Sequence, residues 1–205
     1  MSSPIDINQF LTLSETHPIL DVRTPAEFAQ GHIIGAINLP IFTNEERVII
    51  GTLYKKEGKQ IAVLKGLEIV GPKLHAFVTD AIKLNKTDTF LVHCWRGGMR
   101  SSSMAWFIET YGFKCLTLKG GYKNYRKQVL GSFDEQKNIV LLGGKTGTGK
   151  TIILNELEKL NEQIIDLEKL AQHKGSSFGA LGEKEQPSQE QFENELAFQF
   201  SNIDS

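Results

Sequence analysis

Two apolar periods alternate along the chain. Short, mostly apolar runs at 19–22, 90–92, 115–118 and 138–142 are too brief for helices and are bounded by polar or glycine-containing stretches, which predicts buried strands. Between them, three-to-four-residue spacing predicts helices over 5–13, 74–84, 101–109, 122–130 and 152–160. Another helix starts at Thr24-Pro25-Ala26-Glu27, with Thr24 as N-cap, Pro25 in the first turn and Glu27 closing a capping box. A turn and a short strand follow within 31–40, where His32 reads as an imidazole tying down the turn rather than as a ligand. The stretch 43–73 is polar and charged, with helical spacing in parts (Val48, Ile49, Leu53; Ile61, Val63, Leu64, Leu67). Residues 163–166 read as one more strand.

Composition narrows the class. With 205 residues, the chain can hold one large domain or one domain and part of another. Twenty-three Lys and Arg against 24 Asp and Glu exclude a globally basic nucleic-acid binder. Locally the balance differs: from 89 to 133 the only acid is Glu109, against Arg96, Arg100, Lys114, Lys119, Lys123, Arg126 and Lys127. Two cysteines make no disulfide framework, the histidines are scattered without metal-ligand spacing, and no apolar run spans a bilayer. A protein of the reducing cytoplasm without membrane, metal site or prosthetic group is the expectation.

Cys94 stands between the 90–92 strand and the 101–109 helix, where backbone N–H groups and the positive end of a helix dipole favour a thiolate nucleophile. Gly97 and Gly98 let the loop curl its N–H groups toward one centre, and Arg96 and Arg100 supply charge for an oxyanion. Cys115, inside a strand, reads as packed. A second anion site is written as Gly144-Lys145-Thr146-Gly147-Thr148-Gly149-Lys150-Thr151, in the strand–loop–helix setting of a phosphate loop. Gly144, Gly147, Gly149 and Lys150 would wrap a di- or triphosphate, and the Thr151 hydroxyl could hold Mg²⁺. Lys119, Lys123, Arg126 and Lys127, with Tyr122 and Tyr125 between them, offer phosphate neutralisation and ring stacking for RNA, or form an ordinary solvated helix face.

Asp21-Val22-Arg23, Glu27-Phe28, Gly31-His32-Ile33, Gly35-Ala36, Asn38, Pro40 and Lys119-Gly120-Gly121-Tyr122 resemble the signatures of rhodanese domains, with Cys94 at the place of their sulfur-carrying cysteine. Such a domain joined to a phosphate loop resembles the bacterial tRNA 2-selenouridine synthases. Glu46-Arg47, Gly51-Thr52 and Tyr54-Lys55, the 94–101 loop, Asp166-Leu167-Glu168, the block 173–179, Gln186-Pro187-Ser188-Gln189 and Phe192-Glu193-Asn194 extend the likeness. The resemblance implies an α/β fold: a rhodanese-like parallel sheet covered by helices on both faces over 1–130, a linker at 131–137, and the start of a P-loop NTPase-like unit over 138–205 that is shorter than the family's. It implies a transferase acting on tRNA with 2-thiouridine at the wobble position, which is S-geranylated from geranyl diphosphate and then given selenium from selenophosphate; the loop itself is read as holding selenophosphate, with Cys94 taking selenium as a perselenide, and a monomer is the expectation. The loop alone also fits a C-x₅-R phosphatase on the same fold, a sulfurtransferase, or a fragment that binds an anion without completing a reaction.

Overall fold

The computed structural model describes residues 3–84, 87–145, 147–175, 179, 182 and 184–203. Five strands, β1 (Ser3–Ile5), β2 (Ile19–Asp21), β3 (Ile37–Asn38), β4 (Thr89–His93) and β5 (Lys114–Leu118), form one sheet in the order β1-β5-β4-β2-β3. Every pairing is parallel. The connections carry helices α1 (Ile7–Ser14), α2 (Pro25–Gln30), α3 (Asn44–Lys56), α4 (Lys59–Val70), α5 (Leu74–Leu84) and α6 (Met99–Glu109), and α7 (Gly121–Ser132) follows β5. A parallel sheet has to be covered on both sides, and β4 shows how. Phe90 and Val92 enter a core cluster with Phe77, Ala81, Met104 and Ala105, from α5 and α6. Alternation turns His93 to the other face, where its ring meets Phe10 of α1 and Tyr122 of α7. Each fully buried Phe or Leu contributes about 1.5–3 kcal/mol, so this two-sided burial dominates the unit's stability.

Local chemistry sets the element ends. Thr24 caps α2 and Thr43 caps α3, each with the reciprocal bond from the glutamate three residues on. Where 5–13 reads as one helix, Ile5 instead ends β1, and Asp6 caps α1 by accepting from the Gln9 N–H. Three residues are too few for an alternation to show, so the pairing of β1 with β5 was not legible. His32 ties the turn, its Nδ1 3.0 Å from Phe28 O and its ring stacked on Phe28.

The chain divides into compact units at 1–125 and 126–205, a boundary inside α7. In the second unit α8 (Lys150–Lys159), α9 (Leu167–Leu170) and α10 (Gln189–Ser201) form. The strand expected at 138–142 does not: Val140 and Leu141 are 94% and 85% exposed, and the segment joins no ladder. A strand exists only alongside a partner, and no described segment pairs with this one. The strand expected at 163–166 is absent as well, because Asp166 caps α9 by accepting from the Lys169 N–H. Among the described residues no helix is long and apolar enough to cross a membrane.

Candidate functional site: the Cys94 loop and the phosphate loop

Strand β4 ends at His93, and Cys94 begins the turn into α6. The turn is held by α7, whose Tyr122 and Lys123 N–H groups donate to the carbonyls of Cys94 (2.9 Å) and Trp95 (3.0 Å). Across each planar trans peptide the next N–H points the opposite way, so those of Trp95 and Arg96 are turned away from α7. The two segments touch so closely that a Cβ on Gly121 would lie 2.3 Å from Cys94 O and 2.4 Å from Gly97 N, at a φ of +61°. Gly97, at φ +64°, sits equally tight against Leu118 O. The glycine pair after β5 is therefore the seat of the loop.

Cys94 is buried, with Sγ 3.3 Å from Ser101 Oγ and 4.0 Å from Gly98 O. Ser101 donates its one hydroxyl proton to Gly98 O at 3.0 Å, and the same rotor reaches the sulfur. Arg96 is exposed and makes no ion pair with any described residue. Arg100 differs: its Nη1 and Nη2 donate to Glu27 at 2.7 and 3.2 Å. Burial works against the Glu27 carboxylate, but Arg100 and the Thr24 N–H outweigh it and hold its pKa below the usual value.

Beneath the loop lies a buried ionic layer. Arg23 Nε donates to both Asp21 oxygens at 3.0 Å, its guanidinium carbon stands 3.7 Å from the Tyr122 ring centroid, and Nη2 reaches Gly31 O. Asn38 Nδ2 donates to Asp21 O and Arg23 O. Burial pushes the His93 imidazole down to about 4 against the opposing pull of Asp21, so it is neutral at physiological pH. Burial also opposes the Asp21 charge, which His93 and Arg23 nevertheless hold below the usual carboxylate range. With His93 uncharged, Arg23 is the partner that matters. Cys115, pushed up to about 12 by burial and then by Glu109, is an inert core thiol as expected.

Of the residues read as an RNA surface, Lys119, Lys123 and Lys127 are exposed. Tyr122 and Tyr125 are not, at 0% and 5%, so they present no stacking faces; their spacing on α7 is that of its core stripe. Arg126 is also engaged, by Asn194 Oδ1 at 2.7 Å and by Glu193. Glu27, Ser101, Asp21, Arg23 and His93 belong to the site without having been assigned a role in it. Asp21 and Arg23 carried a signal, two opposite charges sharing one face of an apolar strand end.

In the second unit Lys150 lies back across its loop, Nζ donating to Gly144 O (3.0 Å) and Lys145 O (3.3 Å) and standing 3.5 Å from the Glu168 carboxylate. Gly147 lies in the turn at φ +82°, Gly149 caps α8, and Thr151 is exposed in the first turn of that helix. Thr146 of the motif, and Ser176, Ser177 and Phe178 of the 173–179 block, lie outside the described residues. Among the described residues no group of three or more His, Cys, Asp and Glu is placed to hold a metal ion.

A five-stranded parallel sheet with a cysteine loop at the end of its central strand defines the class, and sequence comparison agrees: residues 6–128 match the rhodanese-like domain, so the chain belongs to the rhodanese-like family. A crystal structure of an N-terminal domain from Clostridium difficile 630 is similar to this part, with a TM-score of 0.58 and 41% identity over 62% of this chain and 99% of that one. Residues 137–205 match the tRNA 2-selenouridine synthase AAA domain. Curated relatives carry the same name: the tRNA 2-selenouridine synthase of Nitrosomonas europaea is 35% identical over 94% of this chain and 51% of its own length, and that of Pseudomonas putida (strain W619) 41% over 88% and 50%. The chain thus has the domain pair of the tRNA 2-selenouridine synthases and spans about half the length of the curated relatives it matches.

Proposed function

We propose that this chain carries the selenium-transfer site of a tRNA 2-selenouridine synthase, in which sulfur of wobble 2-thiouridine is S-geranylated from geranyl diphosphate and then replaced by selenium from selenophosphate. The observation that carries the reading is the pairing of an anchored cysteine loop, backed by a buried ionic layer, with a phosphate loop in one chain. In the first unit, Arg96, the Gly97–Gly98 backbone and the N–H groups of Arg100 left over by Glu27 bind the phosphate oxygens of selenophosphate. Each charge-assisted contact contributes about 1.5–3 kcal/mol. Cys94 attacks selenium: the S–Se bond forms, the Se–P bond breaks, and its electron pair stays on phosphorus, which takes up a proton and leaves as phosphite. Ser101, able to turn its hydroxyl to the sulfur, stabilises the thiolate. The outer selenium of the perselenide then attacks C2 of the base, geranylthiolate leaves, and a cellular thiol cleaves the remaining S–Se bond, which releases 2-selenouridine and leaves Cys94 as a mixed disulfide that a second thiol reduces. In the second unit Gly144, Gly147, Gly149, Lys150 and Thr151 hold the diphosphate of geranyl diphosphate, ATP being the competing ligand, and the Thr151 hydroxyl is the group that would hold Mg²⁺. Lys119, Lys123 and Lys127 supply phosphate contacts to the tRNA. The chain works as a monomer in the reducing cytoplasm, where both of its free cysteines stay thiols.

The C-x₅-R phosphatase is the weaker reading, because residues 137–205 match the tRNA 2-selenouridine synthase AAA domain, which a phosphatase loop does not call for. The deciding experiment is mass analysis of nucleosides from 2-thiouridine tRNA incubated with the 205-residue chain, geranyl diphosphate, selenophosphate and a reducing thiol. Wild type is expected to yield 2-selenouridine, and Cys94→Ser to stop at the S-geranylated nucleoside. Full selenation by a folded Cys94→Ser chain would remove the cysteine from the mechanism.

A further inference from the structure

The pair made by Arg100 and Glu27 joins two elements far apart in sequence at the rim of the Cys94 loop. Both Nη atoms of Arg100 donate to one carboxylate, at 2.7 and 3.2 Å, and the side chains are only 17% and 27% exposed. Glu27 is not free to swing aside. Its Oε2 also accepts the Thr24 N–H at 2.9 Å, its own N–H donates to Thr24 Oγ1 at 3.2 Å, and Thr24 is buried. One residue away, the Ala26 N–H donates to Asn44 Oδ1 at 3.0 Å, which ties the first turn of α2 to the start of α3. The carboxylate is therefore a fixed charge, held whether or not a ligand is present.

A guanidinium has five N–H donors, and Glu27 takes two. Arg100 keeps donors for a ligand but loses its net charge to the pair, which leaves Arg96 as the loop's one uncompensated cation. An anion in the cradle would then meet hydrogen-bond donors in number but positive charge only once. Plain tetrahedral dianions such as sulfate and inorganic phosphate depend on charge and would be held weakly. A donor that adds a soft, polarisable chalcogen facing Cys94 gains a further interaction that they lack.

Resting on the reading of this loop as an oxyanion cradle, we propose that Glu27 is its specificity-determining residue: by neutralising Arg100 it keeps simple oxyanions out and leaves the site to chalcogen-bearing phosphate-type donors. Glu27 acts through Arg100 and touches no reacting atom, so it is a positioning residue.

The test follows the backbone amide shifts of Gly97 and Gly98 in the full chain while sodium sulfate or sodium nitrate is titrated in at constant ionic strength. Glu27→Gln keeps an oxygen for the Thr24 N–H but removes the charge. Because the Coulomb energy scales with ligand charge, Glu27→Gln should tighten sulfate about tenfold and nitrate about threefold. Glu27→Asp keeps the charge on a shorter stem and should reproduce the wild-type ratio of the two affinities. Equal tightening for both anions, or no tightening for sulfate, would overturn the proposal. So would a Glu27→Asp chain that behaves like Glu27→Gln, since the effect would then come from geometry and not from charge. If no loop amide moves with either anion in any of the three chains, the cradle itself is refuted, whereas unchanged affinities in chains that do bind refute only the role of Glu27.

Discussion

His93, the residue before Cys94, makes the rhodanese-like unit sensitive to mild acid. Its ring is wholly buried between Phe10 and Tyr122, neither ring nitrogen has a hydrogen-bond partner among the described residues, and Asp21 Oδ2 stands 3.6 Å away. Burial takes the pKa from 6.5 to about 4. The unfolded chain therefore binds the proton more tightly than the folded one. Stability is nearly whole above about pH 7, drains as pH falls through 6.5 down to about 4, and levels off below it. By linkage the loss is about 0.2 kcal/mol at pH 7 and about 2 kcal/mol at pH 5, a difference of about 1.8 kcal/mol. Asp21 and Glu27, whose folded pKa values lie below 3.8 and 4.5, lose their contributions only at lower pH and add nothing to this slope. Urea unfolding followed by tryptophan fluorescence is the assay, because the two tryptophans, Trp95 and Trp106, both lie in the first unit. The urea midpoint should fall by about 1 M between pH 7 and 5, given a denaturant slope of about 1–3 kcal/mol/M. His93→Leu, of similar volume and without the buried nitrogens, should lose most of that slope. A His93→Leu chain as acid-sensitive as wild type would show that the proton goes elsewhere.

Two other substitutions probe the cysteine loop and the Gly144–Thr151 motif. Gly121→Ala places a methyl 2.3 Å from Cys94 O at a positive φ, and the same urea assay should show a loss of about 2 kcal/mol or more; a loss under about 0.5 kcal/mol would mean that the glycine pair is not the seat of the loop. Lys150→Ala should abolish geranylation of 2-thiouridine tRNA while leaving selenation of pre-geranylated RNA intact, measured by nucleoside mass analysis. Loss of both steps together would refute the division of labour between the units.

Legibility in the sequence followed the range of the forces involved. Capping at Thr24 and Thr43, the strand ending at His93, the helix Leu74–Leu84 and the cysteine loop rest on neighbours a few residues apart, and periodicity and cap chemistry expose those directly. Cys94 and the Gly144–Thr151 motif were legible for the same reason, since their glycines and cations sit within one turn of chain. Burial on α7 was not. A helix with Lys119, Lys123 and Lys127 exposed around it reads as basic, and only the sheet beneath decides that Tyr122 and Tyr125 point inward, where Tyr122 stacks on Arg23 and His93. Nor could the apolar run 138–142 declare itself unpaired, because a strand's hydrogen bonds depend on a second segment that its own residues do not specify. The sequence by itself determined most elements of the first unit, the cysteine loop and the charges written within it. Tertiary structure alone decided that a glutamate 73 residues before Arg100 occupies its fork, because an ion pair depends on distance through space and the sequence records only distance along the chain.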